Sequence, residues 1–264
     1  VGAISVKGLT PKGRHGNPGP RIAETPSGVL NCIGLENPGA EHFVTDILPE
    51  LKKYDVPLLA NMSAGTVEEF AWMAETLSVD GIAGLEVNVS CPNVESEGMA
   101  FGVDPKVVEQ VTKAVRKVTD KPVIVKLSPN VTDIVEIAKA VEAGGGNGVS
   151  LINTLLGMAI DIHRRKPLLG NIYGGLSGPA VKPVALRMVH QVYKGVTIPI
   201  MGLGGIMTGT DAIEFMMAGA QAVQVGTATM VDPTAISRIA REMGDFVEQY
   251  NLNSITDIVG AVHQ

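Results

Sequence analysis

Cysteine is nearly missing from this chain: its 264 residues contain two, Cys32 and Cys91. Two thiols cannot build a disulfide framework, and a reducing compartment fits such usage. A basic surplus is also missing. The chain has 21 Lys and Arg against 27 Asp and Glu, a formal net charge of −6 and a pI of about 5.4. With the basic residues scattered, there is no electrostatic footprint for nucleic acid. A small anionic ligand stays possible, because it responds to a local site and not to the total. No apolar run approaches the roughly 20 residues of a membrane span, and no signal peptide opens the chain, so the expectation is a soluble, cytoplasmic protein. No G-x-G-x-x-G follows an early strand, which argues against a Rossmann domain. The five histidines show no metal-ligand spacing. No metal is expected, and His15 reads as a solvated loop residue.

What is present is a globular balance, 45% hydrophobic and 18% charged, with glycines paired at apparent strand ends. Seven apolar runs stand out: GAISVK (2–7), PLLANM (57–62), GLEVNVS (84–90), PVIVKL (122–127), GVSLIN (148–153), IPIMGLGG (198–205) and AVQVGTAT (222–229). They are apolar on both parities, as strands covered on both faces should be. Between most of them, 66–77, 105–118, 132–143, 183–193 and 211–218 carry apolar residues at helical spacing. Asp104-Pro105, Thr132-Asp133 and Thr210-Asp211 are candidate N-caps.

Strands alternating with helices imply a parallel sheet. This many units favour a TIM (β/α)8 barrel, a fold that reaches this length as one domain. Seven strands fall one short of eight, and the chain begins inside one without a methionine. The expectation is therefore a single domain over 1–264 with the first strand apparently missing from this chain. Residues 8–40, with seven glycines and five prolines, argue against regular structure. Their apolar, Asn-rich second half reads as an ordered active-site wall.

In a barrel the site lies at the C-terminal strand ends. Those ends supply Lys7, Asn61, Asn88 with Ser90 and Cys91, Lys126 with Ser128, Asn153 with Thr154, Gly204-Gly205 and Gly226-Thr227. Amides, two lysines and a thiol describe a mouth for an anionic, amide-bearing ligand. The glycines after the last two strands leave backbone N–H groups that could hold a phosphate; the alternative is that they merely let helices approach the barrel. Cys91 is either a reactive thiol or a small buried side chain.

Eight runs in register carry a resemblance: VKG (6–8), RHGNPGPRIAETPSGVLNCIGLENPG (14–39), NVSCPN (88–93), VKLSPNVTDI (125–134), INTLLGM (152–158), GGLSGPA (174–180), MGLGGI (201–206) and VGTA (225–228). Together they resemble a class 1 dihydroorotate dehydrogenase, most of all the class 1B catalytic subunit, over essentially the whole chain. The family pattern begins earlier, with a first strand bearing a flavin-contacting serine.

The resemblance implies oxidation of dihydroorotate to orotate in pyrimidine biosynthesis. A hydride passes from substrate C6 to FMN N5 while a cysteine base, at the position of Cys91, removes the C5 proton. A thiol near pKa 8.5 is a few per cent ionised at neutral pH, and lysines in the same mouth raise that fraction. It implies substrate contacts from Lys7, Asn31, Ile33, Gly34, Leu35, Asn88, Asn153 and Thr154, with Asn93 a further candidate. An amide suits pyrimidine edges because it offers both a donor and an acceptor. FMN contacts are implied for Lys7, Gly8, Asn61, Asn88, Lys126, Ile152, Gly178, Gly204, Gly205, Gly226 and Thr227. Lys126 would approach the flavin N1–C2=O region, where negative charge develops on reduction.

Further implications are a homodimer and a partner subunit carrying FAD and an iron–sulfur cluster, with NAD as acceptor. This chain cannot ligate such a cluster through two cysteines. Cys32 stands where the family more often has alanine, and is read as a packed small side chain with reactivity the alternative. Competing readings are a dihydropyrimidine dehydrogenase-like flavoenzyme, a phosphate-binding barrel without redox chemistry, and a non-catalytic fragment.

Overall fold

The computed structural model of the chain describes residues 1–90 and 101–263. Its strands are β1 (Ile4–Ser5), β2 (Ile22–Thr25), β3 (Gly28–Asn31), β4 (Leu58–Met62), β5 (Ile82–Asn88), β6 (Val123–Lys126), β7 (Gly148–Leu151), β8 (Leu155–Met158), β9 (Ile160–Asp161), β10 (Lys166–Pro167), β11 (Tyr173–Ser177), β12 (Ile200–Leu203) and β13 (Ala222–Gln224). The helices are α1 (Ala40–His42), α2 (Leu48–Leu51), α3 (Val67–Leu77), α4 (Pro105–Arg116), α5 (Ile134–Ala143), α6 (Lys182–Tyr193), α7 (Gly209–Met217), α8 (Ala228–Val231) and α9 (Ala235–Gln249). A π-helical turn, Phe43–Ile47, joins α1 to α2. The seven apolar runs of the sequence are β1, β4, β5, β6, β7, β12 and β13, and these carry the mostly parallel sheet of an α/β chain.

The chain divides into two compact units. The first comprises Val1–Asn17, Ile33–Leu127 and Glu136–Val149; the second comprises Pro18–Cys32, Ser128–Val135 and everything from Ser150 on.

In the first unit the strands run in the order β1-β4-β5-β6 with parallel ladders that pair Ile4 with Leu58, Asn61 with Glu86, and Asn88 with Lys126. Leu85, Glu86 and Val87 are consecutive and all fully buried. That is what a strand covered on both faces requires, and it is why the run reads apolar on both parities. Helix α3 lays Phe70, Met73, Ala74 and Leu77 on the core, and α4 lays Val108, Val111, Thr112 and Val115. Each large side chain so buried contributes about 1.5–3 kcal/mol. The starts are chemically marked: the Thr66 hydroxyl accepts from Glu69 N at 3.1 Å, and the Asp104 carboxylate from Lys106 N at 2.8 Å.

In the second unit β12 and β13 pair in parallel, and β2-β3-β11-β8 form a four-stranded antiparallel sheet beside the short β9–β10 ribbon. Ile213 and Met216 of α7 pack with Met243, Phe246 and Ile258. The sheet corrects the reading of residues 8–40 as irregular, because β2 and β3 lie inside them as a hairpin over Pro26-Ser27. Strand β3 pairs on one edge with β2 and on the other with β11, which places Asn31 opposite Gly175, 144 residues away. Composition near the hairpin cannot show it.

Of the two other candidate caps, one is found and one moves. Helix α5 begins at Ile134, with Asp133 accepting from Val135 N at 2.8 Å. Helix α7 begins at Gly209 and is capped by Thr208, not Thr210. The Thr208 hydroxyl takes Asp211 N at 3.2 Å, and the Asp211 carboxylate takes Thr208 N at 2.9 Å. Among the described residues no helix is long and apolar enough to cross a membrane. Thr208→Ala removes this reciprocal cap and is expected to cost about 1 kcal/mol in urea unfolding, whereas Thr210→Ala changes stability by under about 0.5 kcal/mol.

Candidate active site

In the first unit the predicted residues meet where β4, β5 and β6 end. Successive side chains of a strand alternate between faces, so Glu86 and Asn88 share one. The in-register Asn61 and Lys126 bring their side chains to it from either side. The Asn61 Nδ2 donates to Glu86 Oε2 at 2.6 Å, Ser5 Oγ donates to the same oxygen at 2.9 Å, and Lys126 Nζ lies 3.9 Å from it. A carboxylate only accepts, so the amide nitrogen of Asn61 must face Glu86 and its Oδ1 must face away. That oxygen points at Gly8, where a β-carbon would lie 2.9 Å from it.

The exit of β5 is held by two further bonds. Asn88 Oδ1 accepts from Ser90 N at 3.1 Å, a side-chain turn, and Ser90 Oγ donates to the Lys126 carbonyl at 2.9 Å. The chain is thus aimed as it enters 91–100. Cys91 and Asn93 lie there, outside the described residues.

Ile33, Gly34 and Leu35 sit in a loop knitted by buried Asn37. Its Nδ2 donates to Leu35 O and Thr10 Oγ1, both at 2.7 Å, and its Oδ1 accepts from Thr10 N at 3.1 Å and Gly39 N at 2.9 Å. This amide is fully committed to structure. It holds Leu35 at a φ of 55°, an uncommon conformation for a residue with a side chain. Lys7 is exposed and follows Ser5 by two residues.

In the second unit Asn31 Nδ2 donates to Gly175 O at 3.2 Å, which leaves its carbonyl oxygen and second N–H for other partners. Gly175 must lack a side chain, because a β-carbon there would lie 2.1 Å from Thr154 Oγ1. Asn153 Oδ1 accepts from Thr154 N at 2.8 Å. Asn130, not singled out in the sequence, fixes this segment by donating to Thr154 O at 3.1 Å and accepting from Leu156 N at 2.9 Å. Cys32 is buried with Leu30 and Leu169, its thiol 3.7 Å from Pro20 O, so it is a packing residue.

The glycine turns gather as well. Gly205 has φ 78°, and a β-carbon on it would fall 2.7 Å from Gly178 O. Gly204 abuts Ile152, Gly178 abuts Thr227, and the Thr227 hydroxyl donates to Ser177 Oγ at 2.9 Å. Around Gly226 a β-carbon would meet open space. The turn after β12 is tied to α6 and α7 by Lys182, whose Nζ bonds Asp211 Oδ1 at 2.6 Å and Glu214 Oε2 at 2.9 Å. Burial pushes the Asp211 carboxyl up. Hydrogen bonds from Lys182 and from the N–H groups of Met207 and Thr208 outweigh it and hold the group below the usual carboxylate range. The hydrogen bond to Asp211 is the largest influence raising Lys182 above its ordinary value.

Sequence reasoning missed Glu86. The signal was available: a carboxylate inside GLEVN, within a run apolar on both parities, is as costly to bury as the lysine in VIVKL.

The family model for dihydroorotate dehydrogenase matches residues 1–247. The chain belongs to the dihydroorotate dehydrogenase family, FMN-dependent oxidoreductases of pyrimidine biosynthesis that convert dihydroorotate to orotate. Within it the likeness is to class 1B. The chain is 57% identical over 264 residues to the dihydroorotate dehydrogenase B (NAD(+)) catalytic subunit of Desulforamulus reducens, covering 100% of this chain and 87% of that one. It is 54% identical over 263 residues to the catalytic subunits of the same name from Geobacter sp. strain M21 and Citrifermentans bemidjiense, covering 99% of this chain and 86% of each relative.

The depressed Asp211 fixes the sign of a pH effect. Its contribution to stability is complete above the unfolded carboxylate pKa of about 3.9 and is lost as pH falls through the lower folded value. Urea unfolding of Asp211→Asn is therefore expected to show a deficit against the parent at about pH 7 that closes on acidification toward about pH 2.

Proposed function

We propose that the chain oxidises dihydroorotate with Cys91 as the base at C5 and Lys126 as the cation facing the flavin. The observation that carries the reading is the gathering of Asn61, Asn88 and Lys126 at the ends of β4, β5 and β6, with Asn88 three residues before Cys91 in the chain. FMN, when bound, supplies the acceptor for the hydride leaving C6.

The residues present fit that cofactor. Bare glycine backbone at Gly178, Gly204, Gly205 and Gly226, beside Thr227, suits a phosphate. In the first unit Asn61, its carbonyl toward Gly8, with Asn88, Lys7 and Gly8 suits an amide-edged ring, and Lys126 suits its N1–C2=O side; Ile152 is a further ring contact that the resemblance implies. Lys7 pairs with the substrate carboxylate. Asn31, Asn88, Asn153 and Thr154 hold the pyrimidine edges, and Ile33, Gly34 and Leu35 close over it. Cys91 is the group that gains the proton, and a cation beside a thiol raises its thiolate fraction.

The chain acts as one FMN-binding domain, 1–264, with residues 8–40, which contain the β2–β3 hairpin, as its active-site segment. The proposed architecture is a (β/α)8 barrel, supported by parallel strands that alternate with helices. The relatives' name, a catalytic subunit linked to NAD(+), supports a separate electron-transfer subunit with NAD as the final acceptor, and the class 1B resemblance implies that this subunit carries FAD and an iron–sulfur cluster. Leu156, Met158, Ile160, Ile162, Ile172 and Tyr173 of the second unit are large and exposed. They form the kind of apolar surface that a homodimer covers. Cytoplasmic residence completes the reading.

Cys91→Ala and Cys91→Ser are expected to retain FMN while anaerobic flavin bleaching by dihydroorotate slows by two or more orders of magnitude, the range of general-base contributions. Near-normal bleaching of the alanine variant would overturn the base assignment. Bleaching by dihydrouracil and not by dihydroorotate would overturn the substrate.

A further inference from the structure

Glu86 is a charged residue with 0% exposure in the middle of β5, and nothing in the reaction uses it. Removing a carboxylate from water costs several kcal/mol after relaxation, and a buried ion pair often does no better for stability than apolar groups of the same volume. Its surroundings are built for the ionised form. Ser5 from β1 and Asn61 from β4 both donate to Oε2, at 2.9 and 2.6 Å, and Lys126 from β6 stands 3.9 Å from that oxygen. Three strands, β1, β4 and β6, thus converge on one oxygen atom.

The two contacts toward the site differ in kind. Asn61 is hydrogen-bonded through Nδ2, which turns its Oδ1 toward Gly8. Lys126 is beyond hydrogen-bond distance and is held by charge alone, so the pairing consumes none of its three N–H donors. With 18% of its side chain exposed, Lys126 keeps those donors for a ligand.

We propose that Glu86 is a positioning residue: it is the buried counter-charge that aims Lys126 and orients Asn61 for the flavin ring. This rests on the assignment of Lys126 to the N1–C2=O side of FMN. The net charge beside that edge is the sum of the lysine and the glutamate. With both present the site is close to neutral. The lysine contributes directed hydrogen bonds to the anion that forms on reduction, while Glu86 limits how strongly reduction is favoured. Asn61, its nitrogen engaged by the carboxylate, presents an acceptor and so selects a donor N–H on the ring edge it meets.

The test is a charge cycle on the full chain with Glu86→Gln, Lys126→Gln and the double variant. Glutamine keeps the shape and one acceptor for Asn61 but removes the charge. The first readout is the midpoint potential of bound FMN, from anaerobic reductive titration against a reference dye. Glu86→Gln leaves the cation uncompensated and is expected to bind reduced over oxidised flavin at least tenfold more strongly, an upward shift of about 30 mV for a two-electron couple. Lys126→Gln is expected to move the potential downward, and the double variant to fall between them. A Glu86→Gln potential that stays in place while only the melting temperature drops would show a merely structural carboxylate, and a downward shift would also overturn the proposal.

The second readout needs no flavin. Urea unfolding of the four proteins should give a coupling of at least fivefold in the unfolding constant between positions 86 and 126, and additivity overturns the pairing. A parent chain that takes up no FMN defeats the cofactor assignment, and the unfolding cycle still decides whether Glu86 and Lys126 act as a pair.

Discussion

Parallel strand pairing is the constraint on which the rest of the structure depends. A parallel ladder leaves no room for a tight turn between neighbours, so each strand must be followed by a crossover, and the crossover helices bury the sheet. In the first unit this makes Leu85, Glu86 and Val87 of β5 all inaccessible. Polar side chains can then appear only where strands end, or inside the sheet with partners. Asn88 and Lys126 illustrate the first case and Glu86 the second.

Register turns this constraint into chemistry. Asn61 is level with Glu86 and Asn88 with Lys126, so three strands place two amides, a carboxylate and an ammonium group on one face. A slip of one residue in any ladder would turn those groups to the opposite face. The site's precision therefore comes from backbone hydrogen bonds more than from the side chains. The second unit reaches similar precision by close approach: Gly175 admits Thr154, and Gly205 lies against Gly178. The salt-bridged Lys182 and the capped start of α7 secure the turn that follows β12.

Much of this was legible in the sequence because it is local. All seven strands of the parallel sheet coincide with apolar runs, and Thr66 and Asp104 announce the helices they cap. The resemblance found in runs such as VKLSPNVTDI and NVSCPN agrees with the family to which the chain belongs. Other features were hidden because their causes are remote or subtle. The hairpin of β2 and β3 is backed by β11, far along the chain, and its glycines and prolines read as irregular. Gly209 at the start of α7 is a poor helix former, so the cap seemed to lie two residues later. Asn37 has no distinguishing signal in its Asn-rich segment, and its bonds to Thr10, Leu35 and Gly39 are all structural.

The sequence by itself determined the alternation of strand and helix, the polar residues at strand ends, and the family. These follow from periodicity and from short motifs, each carried by residues within a few positions of one another. The tertiary structure alone decided that Glu86 stands between Asn61 and Lys126, that the amide of Asn61 turns its oxygen toward Gly8, and that Cys32 is a packing residue. Those are properties of neighbours supplied by other strands, and a buried charge takes its meaning from the groups that surround it.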